Sequence, residues 1–554
     1  MSTTITCFGG AGEIGGNKIL LEDNGKRLML DFGMGFGRVG RYFDGVFITE
    51  RTGRGLLDPL ALGLVPPLRG VLRDELVPSI GSDNGQGLET FWQHWATRFP
   101  QTYRDLRQDG PAVAAVLVSH AHLDHIGDLE YVEPEIPVAA TCLTAFIAKT
   151  LQDIGGGSGA AYIHPTTVNG HGILQSDRSA ASIRRPWIFL DQVPAGVASE
   201  NLLASARSFW DAAGSKSRGL ELTACQAFAG RIGPWQVRWW PVDHSVPGAV
   251  AFAIETEAGW VAYSGDLRFH GHRGTQTWTA AEGIAALKPV ALLCEGTRLT
   301  GPNLTTEGEV LVNCCRVVQA AAGRLVVADF APRNVDRFET FARIAAETGR
   351  QLLIQPKDAY LLRAVHLADP RIPDLMSADQ VAVLDDPKGT YRKYETVVRR
   401  EYAGRLVSAA TIKNQLGNYI LACSLSDMAD MLDLQYLLGH QLDGVYLFSN
   451  SPAFDDEQQV DLVRLWHWTQ HLGLTLVGLQ PRRDERGHVV AMEGQPGYHA
   501  SGHAGSNELQ EFVRRIAPQK LIPIHTEAVG LWSTLLTGGA IEIVPPSEAQ
   551  ALTI

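Results

Sequence analysis

Apolar residues form short, strand-like runs in the first third of the chain. Runs at 5–8, 18–21 and 27–30 are separated by Gly-rich turns, and Asn24-Gly25 is typical of a type I′ hairpin turn. A further run at 112–118 has the length and apolar content of a buried strand. We therefore predict a sheet whose strands end on loops.

The pattern changes to alternating helix and strand from about residue 306. Helices are predicted at 307–322, 335–348 and 456–472, and strands at 323–328, 351–354 and 442–448. Such alternation indicates helices that cross over a parallel sheet. A polar, Gly-punctuated stretch at 481–500 then predicts a return to the first domain. We expect a first domain at 1–305, a second at 306–485, and a return to the first at 486–554.

Two long segments with weak patterning, 36–110 and 156–225, interrupt the first domain. One helix is predicted inside the first of them at 88–106, and another lies between them at 141–154 and ends at Gly155. We interpret the two segments as insertions, which predict a surface for oligomerisation or for another protein partner.

Composition narrows the class of protein. A chain of 554 residues is too long for one core, so at least two domains are expected. The net charge of −12 argues against broad, nonspecific binding to duplex nucleic acid. The seven cysteines are scattered without a CxxC pair, which predicts reduced thiols and a cytoplasmic location. Neither a signal-peptide pattern nor an apolar run of about 18 residues is present, so no membrane segment is predicted.

The segment 120–125, with the sequence HAHLDH, carries the strongest chemical signal. His120, His122, Asp124 and His125 follow directly on the predicted strand at 112–118. Neutral imidazole and carboxylate are the ligands that zinc prefers where one coordination position stays open for water. Four such groups in one loop can serve two ions, and a zinc pair separated by about 3.5–4 Å can clamp the attacking and leaving oxygens of a hydrolysis.

Three further candidate ligands also stand at predicted strand ends. His244 follows the strand at 235–240, Asp266 ends the strand at 260–266, and His525 ends the strand at 520–525. Taken singly, each has an ordinary alternative as a structural hydrogen-bonding residue. Together with the segment 120–125, they predict a ligand set for two ions.

The order of these motifs resembles the metallo-β-lactamase superfamily, and within it the β-CASP nucleases of the ribonuclease J type. The resemblance implies an α/β fold, namely an αββα sandwich with an inserted β-CASP α/β domain. The matching segments are 9–15 (GGAGEIG), 30–33 (LDFG), 119–127 (SHAHLDHIG), 242–247 (VDHSVP), 263–266 (YSGD), 295–297 (EGT), 448–452 (FSNSP), 499–504 (HASGHA) and 522–525 (IPIH).

The resemblance implies two zinc ions per chain, with Mn²⁺ as an alternative metal. One ion would be held by His120, His122 and His244, and the other by Asp124, His125 and His525. Asp266 would bridge the two ions, and Asp31 would orient a ligand histidine.

The same resemblance implies catalytic and substrate-binding residues. Asp124, Glu295 and His503 are the expected catalytic residues, with Glu295 supporting proton donation by His503 to the leaving oxygen. A phosphate contact without proton transfer is the alternative role for His503. His499, Ser501, Ser449 and Ser451 are expected to contact RNA phosphates together with His503, whereas an ordinary polar turn is the alternative for His499 and Ser501.

The implied function is zinc-dependent hydrolysis of phosphodiester bonds in single-stranded RNA, as a 5′ exonuclease, an endonuclease or both, with a hydroxide activated by the two ions. The alternatives are a DNA nuclease or other phosphodiesterase on the same fold, or a catalytically quiet RNA-binding or assembly subunit. Besides the two long insertions, two further departures from the family pattern bear on these expectations. The segment 407–415 lacks the expected Gly-Ser-Gln-Gly-Glu-like loop, and no segment after His525 matches the family's C-terminal assembly domain.

Overall fold

A computed structural model describes residues 2–44, 47–79, 87–155, 159–177, 179–191, 200–212, 214, 219–301, 305–453 and 456–554. The strands in this part of the chain are β1 (Thr4–Gly9), β2 (Lys18–Asp23), β3 (Lys26–Leu30), β4 (Leu68–Arg69), β5 (Arg104–Asp105), β6 (Val116–Leu117), β7 (Val138–Ala140), β8 (Tyr162–Ile163), β9 (Thr166–Val168), β10 (Leu174–Ser176), β11 (Ser182–Arg184), β12 (Trp187–Phe189), β13 (Leu220–Glu221), β14 (Gln226–Ala227), β15 (Arg231–Ile232), β16 (Trp235–Pro241), β17 (Val250–Thr256), β18 (Gly259–Tyr263), β19 (Ala291–Glu295), β20 (Val326–Asp329), β21 (Gln351–Ile354), β22 (Val381–Asp385), β23 (Leu406–Ser408), β24 (Tyr419–Ala422), β25 (Val445–Phe448), β26 (Thr475–Val477), β27 (Leu479–Arg483), β28 (Val489–Gly494), β29 (Lys520–Ile524), β30 (Glu542–Ile543) and β31 (Ala551–Thr553).

The α-helices in the same residues are α1 (Phe36–Val39), α2 (Leu57–Ala61), α3 (Gly87–Arg98), α4 (Leu123–Ile126), α5 (Cys142–Ile154), α6 (Glu200–Asp211), α7 (Gly274–Ala285), α8 (Glu307–Ala320), α9 (Val335–Glu347), α10 (Pro356–Ala368), α11 (Lys393–Glu401), α12 (Ala409–Ile412), α13 (Met431–Leu438), α14 (Asp456–Leu472), α15 (Ser506–Ile516) and α16 (Leu531–Leu535). Short 3₁₀ turns occur at Asp74–Leu76, Leu129–Tyr131, Leu375–Ser377, Ala403–Arg405, Leu416–Asn418 and Leu425–Asp430. Among the described residues, no helix combines the length and the apolar character needed to cross a bilayer.

The chain divides into two compact units. We call the first the sandwich unit; it comprises Met1–Phe269, Arg273–Pro302 and His503–Ile554. We call the second the parallel unit; it comprises His270–His272 and Asn303–Gly502.

Two sheets share a core in the sandwich unit. Their strand orders are β14-β12-β7-β6-β3-β2-β1-β31 and β15-β16-β17-β18-β19-β29-β30. Alternate residues of both sheets, such as Leu21 and Leu30 of the first and Phe252 and Ile522 of the second, belong to one buried cluster. The opposite face of the second sheet packs against apolar residues of α7 and α15. The strand ends of both sheets are therefore held by a continuous apolar core.

The hairpin at the start of the chain follows the sequence pattern. β2 and β3 pair antiparallel, and Asn24 (φ 50°) and Gly25 (φ 72°) both have positive φ at the turn between them. A type I′ turn requires positive φ at both central residues, which is why Asn-Gly predicts it. β3 then ends one residue before Asp31 and delivers that carboxylate to the edge of the sheet.

All neighbouring strands run parallel in the seven-stranded sheet of the parallel unit. Their order is β23-β22-β21-β24-β20-β25-β26, and helices connect most of them. One face of this sheet packs against α13 and α14 through residues such as Met431 and Leu465. The antiparallel hairpin β27–β28 also belongs to this unit, because Gln459 of α14 exchanges hydrogen bonds of 3.3 and 3.1 Å with the Met492 backbone. The unit therefore runs to Gly502, whereas the sequence-based boundary lies at 485.

Three sequence expectations differ from the structure. The helix predicted at 88–106 ends at Arg98, because Pro100 cannot continue it, and a short strand forms at Arg104–Asp105. The run at 112–118 pairs as a strand only at Val116–Leu117. The segment 156–225 contributes β12, which pairs parallel with β7 in the main sheet and is not a separate insertion there. Residues 45–46, 80–86, 156–158, 178, 192–199, 213 and 215–218 of the predicted insertions lie outside the described residues.

Candidate metal centre

A short strand and one helical turn place the segment 120–125. β6 ends at Leu117, and α4 begins directly after His122, whose backbone is extended (φ −76°, ψ 150°). His120 and His122 therefore precede the turn, whereas Asp124 and His125 lie within it. This change of backbone conformation separates the side chains into two groups.

Glycine residues allow other loops to approach α4 closely. A Cβ atom on Gly33 would lie 1.7 Å from the carbonyl oxygen of Asp124, so no larger residue fits at that position. Gly15 (φ +77°) has a similar role, because its Cβ would lie 2.9 Å from the Cβ of Asp124. Gly15 of the Gly-rich turn at 9–16 thus packs against a candidate ligand, which accounts for the glycine at that position.

The first candidate ligand group consists of three imidazoles. Nδ1 of His122 lies 3.1 Å from Nε2 of His120 and 3.0 Å from Nε2 of His244. One ring nitrogen from each of the three residues falls within 4.8 Å of the others. Three convergent imidazoles without a carboxylate are typical of a cation site.

The second candidate ligand group is centred on a carboxylate. Oδ2 of Asp266 lies 3.0 Å from Nε2 of His125 and 3.6 Å from Nε2 of His525. Oδ2 of Asp124 lies 3.2 Å from the same nitrogen of His525. Asp266 also lies 3.6 Å from Nε2 of His120, so it faces both groups. We refer to His120, His122, Asp124, His125, His244, Asp266 and His525 as the metal cluster.

Asp31 fixes the orientation of the cluster from behind. Its carboxylate accepts hydrogen bonds from Nδ1 of His125 (2.7 Å), from the backbone and hydroxyl of Ser119 (2.7 and 2.8 Å), and from the hydroxyl of Tyr263. Because Nδ1 of His125 donates to Asp31, its Nε2 is left to act as a ligand atom. Asp31 has a left-handed backbone (φ 55°), a strained conformation that is common at functional sites.

Thr297 orients the ring of His525 in the same way as Asp31 orients that of His125. Its hydroxyl lies 2.8 Å from Nδ1 of His525 and donates to Oε2 of Glu295 at 2.7 Å. The hydroxyl therefore accepts from His525, which directs Nε2 of that ring towards Asp124 and Asp266. His525 also has a left-handed backbone (φ 52°), and its N–H donates to the carbonyl of Gly10 at 2.7 Å.

Glu295 and His503 form a pair beside the cluster. Nδ1 of His503 lies 3.1 Å from Oε2 of Glu295 and 3.9 Å from Oδ2 of Asp266. Glu295 is fully buried, and its Oε1 accepts the backbone N–H of Leu267 at 2.8 Å. Burial lowers the pKa of His503, but the hydrogen-bonded carboxylate of Glu295 outweighs burial and raises the pKa to about 9.

The electrostatics of the two groups differ. Burial lowers the pKa of His120 well below its usual value, and the nearby His125 and His244 lower it further. His120 is therefore a neutral imidazole, the form that binds metal. Burial also acts to lower the pKa of His125, but the carboxylates of Asp266, Asp124 and Asp31 outweigh it and raise that pKa well above its usual value.

The donor set fits a divalent metal of the zinc type. Oδ1 of Asp266 is buried and has no hydrogen-bond partner among the described residues, as expected of an oxygen that a cation satisfies. The histidine tautomers that Asp31 and Thr297 impose leave Nε2 as the ligand atom of both His125 and His525. Imidazole and carboxylate without thiolate match the preference of zinc in catalytic sites.

The remaining predicted residues lie in the parallel unit. Oγ of Ser451 lies 3.2 Å from Nε2 of His499, and the hydroxyl of Ser449 donates to the Tyr498 carbonyl at 2.6 Å. The backbone carbonyl of Ser501 is 3.0 Å from Nε2 of His270. Ser451 lines a cavity of about 460 Å³ at the carboxyl ends of β20, β24 and β25, which are adjacent strands of the sheet. The other lining residues are Asp329, Ser424, Leu425, Ser426, Phe448, Asn450, Ala453, Gln458, Asp461, Leu462 and Leu465.

Sequence reasoning missed the residues that hold the ligands in place. Ser119, Thr297 and Tyr263 each have a hydroxyl within hydrogen-bond reach of Asp31, Glu295 or a ligand histidine. All three lie inside the quoted motifs, so their adjacency to candidate ligands was the available signal. A hydroxyl residue in a motif nevertheless has no ligand chemistry of its own.

Two segments of the chain are similar to families of metallo-hydrolases. Residues 81–145 match the family described as "Metallo-beta-lactamase superfamily", and residues 489–530 match "Zn-dependent metallo-hydrolase RNA specificity domain". The chain is 25% identical to "Ribonuclease J" of Mycolicibacterium smegmatis over 323 residues, which cover 57% of this chain and 51% of that protein. It is 24% identical to "Ribonuclease J 1" of Streptococcus pyogenes over 297 residues, covering 52% of this chain and 46% of that protein. The chain thus spans about half the length of the curated relatives that it matches.

A solved structure shares the fold along the whole chain. The structure titled "Crystal Structure of a Protein of Unknown Function from Enterococcus faecalis V583" matches with a TM-score of 0.63 and 19% identity, covering 100% of both chains. Together with the superfamily match, it confirms the predicted α/β fold class of the metallo-β-lactamase type.

These matches support the resemblance that the motifs predicted, to the metallo-β-lactamase superfamily and, within it, to the β-CASP nucleases of the ribonuclease J type.

Proposed function

We propose that this protein is a zinc-dependent ribonuclease that uses two zinc ions to hydrolyse phosphodiester bonds of single-stranded RNA. One observation carries the proposal. Oδ2 of Asp266 lies within 3.0–3.9 Å of ring nitrogens of His120, His125, His525 and His503. A single carboxylate oxygen therefore faces both candidate ligand groups and the Glu295–His503 pair.

Each ligand group would hold one ion, and Asp266 would bind both. Zinc in such a site supplies Lewis acidity and lowers the pKa of water from about 15.7 towards about 7. The chain's own contribution is geometric: Asp31 and Thr297 orient His125 and His525, and burial keeps His120 neutral. Manganese is the alternative metal for the same oxygen and nitrogen donors.

His503 is the proposed proton donor to the leaving oxygen. Its raised pKa keeps a proton on the ring at neutral pH, and Glu295 engages Nδ1. Proton transfer to the substrate therefore falls to Nε2. In this proposal Asp124 is a catalytic residue because it is a ligand of the second ion.

RNA is the proposed substrate because the comparisons favour it, and the parallel unit offers groups that suit a phosphate backbone. The match at residues 489–530 is to a domain described by its RNA specificity, and the curated relatives are named ribonucleases. In the parallel unit, Ser451 and His499 place a hydroxyl and an imidazole together, and such groups bind phosphate oxygens. Ser449, Ser501 and His503 complete the proposed phosphate contacts.

The proposal is tested with end-labelled 5′-phosphorylated RNA and single-stranded DNA of the same sequence, incubated with zinc or manganese. We expect two zinc ions per chain by elemental analysis and preferential cleavage of RNA. Product ladders distinguish stepwise removal from the 5′ end from internal cuts. Preference for DNA or for a small phosphodiester would contradict the RNA assignment. RNA binding without cleavage by the zinc-loaded protein would instead favour a quiet assembly subunit.

A further inference from the structure

The loop that follows β19 carries an arginine that the proposed mechanism does not use. Arg298 stands three residues after Glu295, at the end of the strand that supplies that carboxylate. The Arg298 backbone forms a parallel bridge with Gly505, which follows His503 by two residues. Arg298 is therefore anchored between the two segments that bring Glu295 and His503 together.

The guanidinium of Arg298 has no counter-charge among the described residues. Its Nε is buried, and no hydrogen-bond or ion-pair partner occurs within the part of the chain that the structure describes. Burial lowers the pKa of Arg298, and no carboxylate acts to raise it. By contrast, buried Arg268 pairs with Asp243 at 3.1 Å, and Arg38 pairs with Glu13 at 2.6 Å.

A partly buried guanidinium without an acceptor is costly unless a ligand supplies one. The planar fork of arginine donors matches the oxygens of a phosphate better than those of any neutral group. Gly301 lies beside the fork, since a Cβ at that position would come within 3.0 Å of Nη2 of Arg298. A glycine there leaves room beside the donors.

We propose that Arg298 binds a backbone phosphate of the nucleic-acid substrate, next to the phosphate that is cleaved. The inference rests on the proposed function, because it assigns one further contact to the same substrate. Arg298 would be a positioning residue, holding the strand so that the leaving oxygen meets His503. The unpaired charge then destabilises the free protein, and a phosphate of the bound strand neutralises it.

Binding of a labelled single-stranded oligouridylate with cleavage-resistant phosphorothioate linkages to the zinc-loaded protein tests the proposal, measured by fluorescence anisotropy over a series of salt concentrations. Arg298→Met keeps the length of the side chain and removes its charge. We expect affinity to fall by about tenfold. The slope of log affinity against log salt should fall by about 0.7, the value for one phosphate contact on a single strand. Arg298→Lys should restore the slope and only part of the affinity, because a point charge lacks the fork.

Controls separate this contact from folding and from the proposed function. Arg231→Met removes an exposed arginine of the same unit and should change neither slope nor affinity. Arg298→Met should keep its bound zinc and melt at the same or a higher temperature, since it loses an unpaired buried charge. An unchanged slope in Arg298→Met, or a marked fall in its melting temperature, would overturn the assignment of Arg298 alone. Absence of RNA binding by the unmodified protein would overturn the proposed function as well.

Discussion

The two units hold their polar side chains in different ways. In the sandwich unit, five of the seven metal-cluster residues are buried, and Asp31 and Thr297 fix the rings of His125 and His525 by hydrogen bonds. In the parallel unit, the bonded pair Ser451–His499 lies beside an open cavity of about 460 Å³. The first arrangement suits ions that demand fixed ligand geometry, and the second suits a chain of repeating phosphates. Chemistry and recognition thus make separable demands on rigidity.

The largest expected effect comes from Asp266→Asn, which removes the charge that both ligand groups share. We expect loss of bound zinc and a fall in kcat/KM of at least about 10³-fold, because charge stabilisation at the cleaved phosphate disappears. Elemental analysis and RNA cleavage measure the two outcomes. His94→Ala, which removes an exposed imidazole of the same unit, should change neither. Retention of both ions and of activity would show that Asp266 is needed neither to hold the ions nor for cleavage.

His503→Ala tests whether the pair beside the cluster donates a proton. Bound zinc should remain, whereas kcat on RNA should fall by about 10²-fold, the usual contribution of a general acid. On a p-nitrophenyl phosphodiester the loss should be much smaller, because that leaving group departs without a proton. Equal losses on the two substrates would assign His503 to phosphate binding. Unchanged turnover on RNA would remove it from the mechanism.

Asp31→Asn sharpens the distinction between ligands and the groups that hold them. An amide cannot accept from four donors, so zinc affinity should fall by about 10- to 100-fold while the fold persists. Zinc titration against a competing chelator measures this. The matched control is Asp23→Asn, since buried Asp23 accepts from Thr3 at 2.7 Å and from Trp235 at 3.2 Å in the same unit. That variant should lose stability in urea unfolding and keep its zinc affinity.

The smallest effect is expected in the parallel unit. His499→Ala should raise KM for RNA by about tenfold and leave kcat nearly unchanged, because it removes a contact made equally in the bound and transition states. Steady-state kinetics decide this, and His467→Ala on the exposed side of α14 is the control. A fall in kcat with unchanged KM would contradict the proposal that the parallel unit binds the substrate and takes no part in the chemical step.

Where a local pattern determines structure, the sequence was sufficient. α5 ends at Ile154 because Gly155 adopts a left-handed backbone (φ 106°), as the Gly at that position predicted. The helix predicted at 456–472 occurs as Asp456–Leu472, and the strand predicted at 351–354 occurs as Gln351–Ile354. The structure also brings together the seven residues that were predicted as ligands from their ligand chemistry near the ends of apolar runs, and their role as ligands stays a prediction.

Long-range partners decided the rest. β12 has only three residues, too few for a period, and joins the main sheet because β7 offers an edge. The sequence of the hairpin β27–β28 predicts only a polar connection. Its packing in the parallel unit involves a hydrogen bond from Gln459, which no local pattern indicates. Thr297 contacts His525, and Arg298 pairs with Gly505. Each partner is more than 200 positions away in the sequence, so no local pattern predicts these contacts.

The hydrogen-bonded pair Asp124 and His525 joins positions 401 residues apart. During translation, a ribosome must therefore add 401 residues after Asp124 before these two side chains can meet. Under the proposed function, the nascent chain stays inactive until His525 has been made, although its Gly-rich turn and its first three candidate imidazole ligands were made long before.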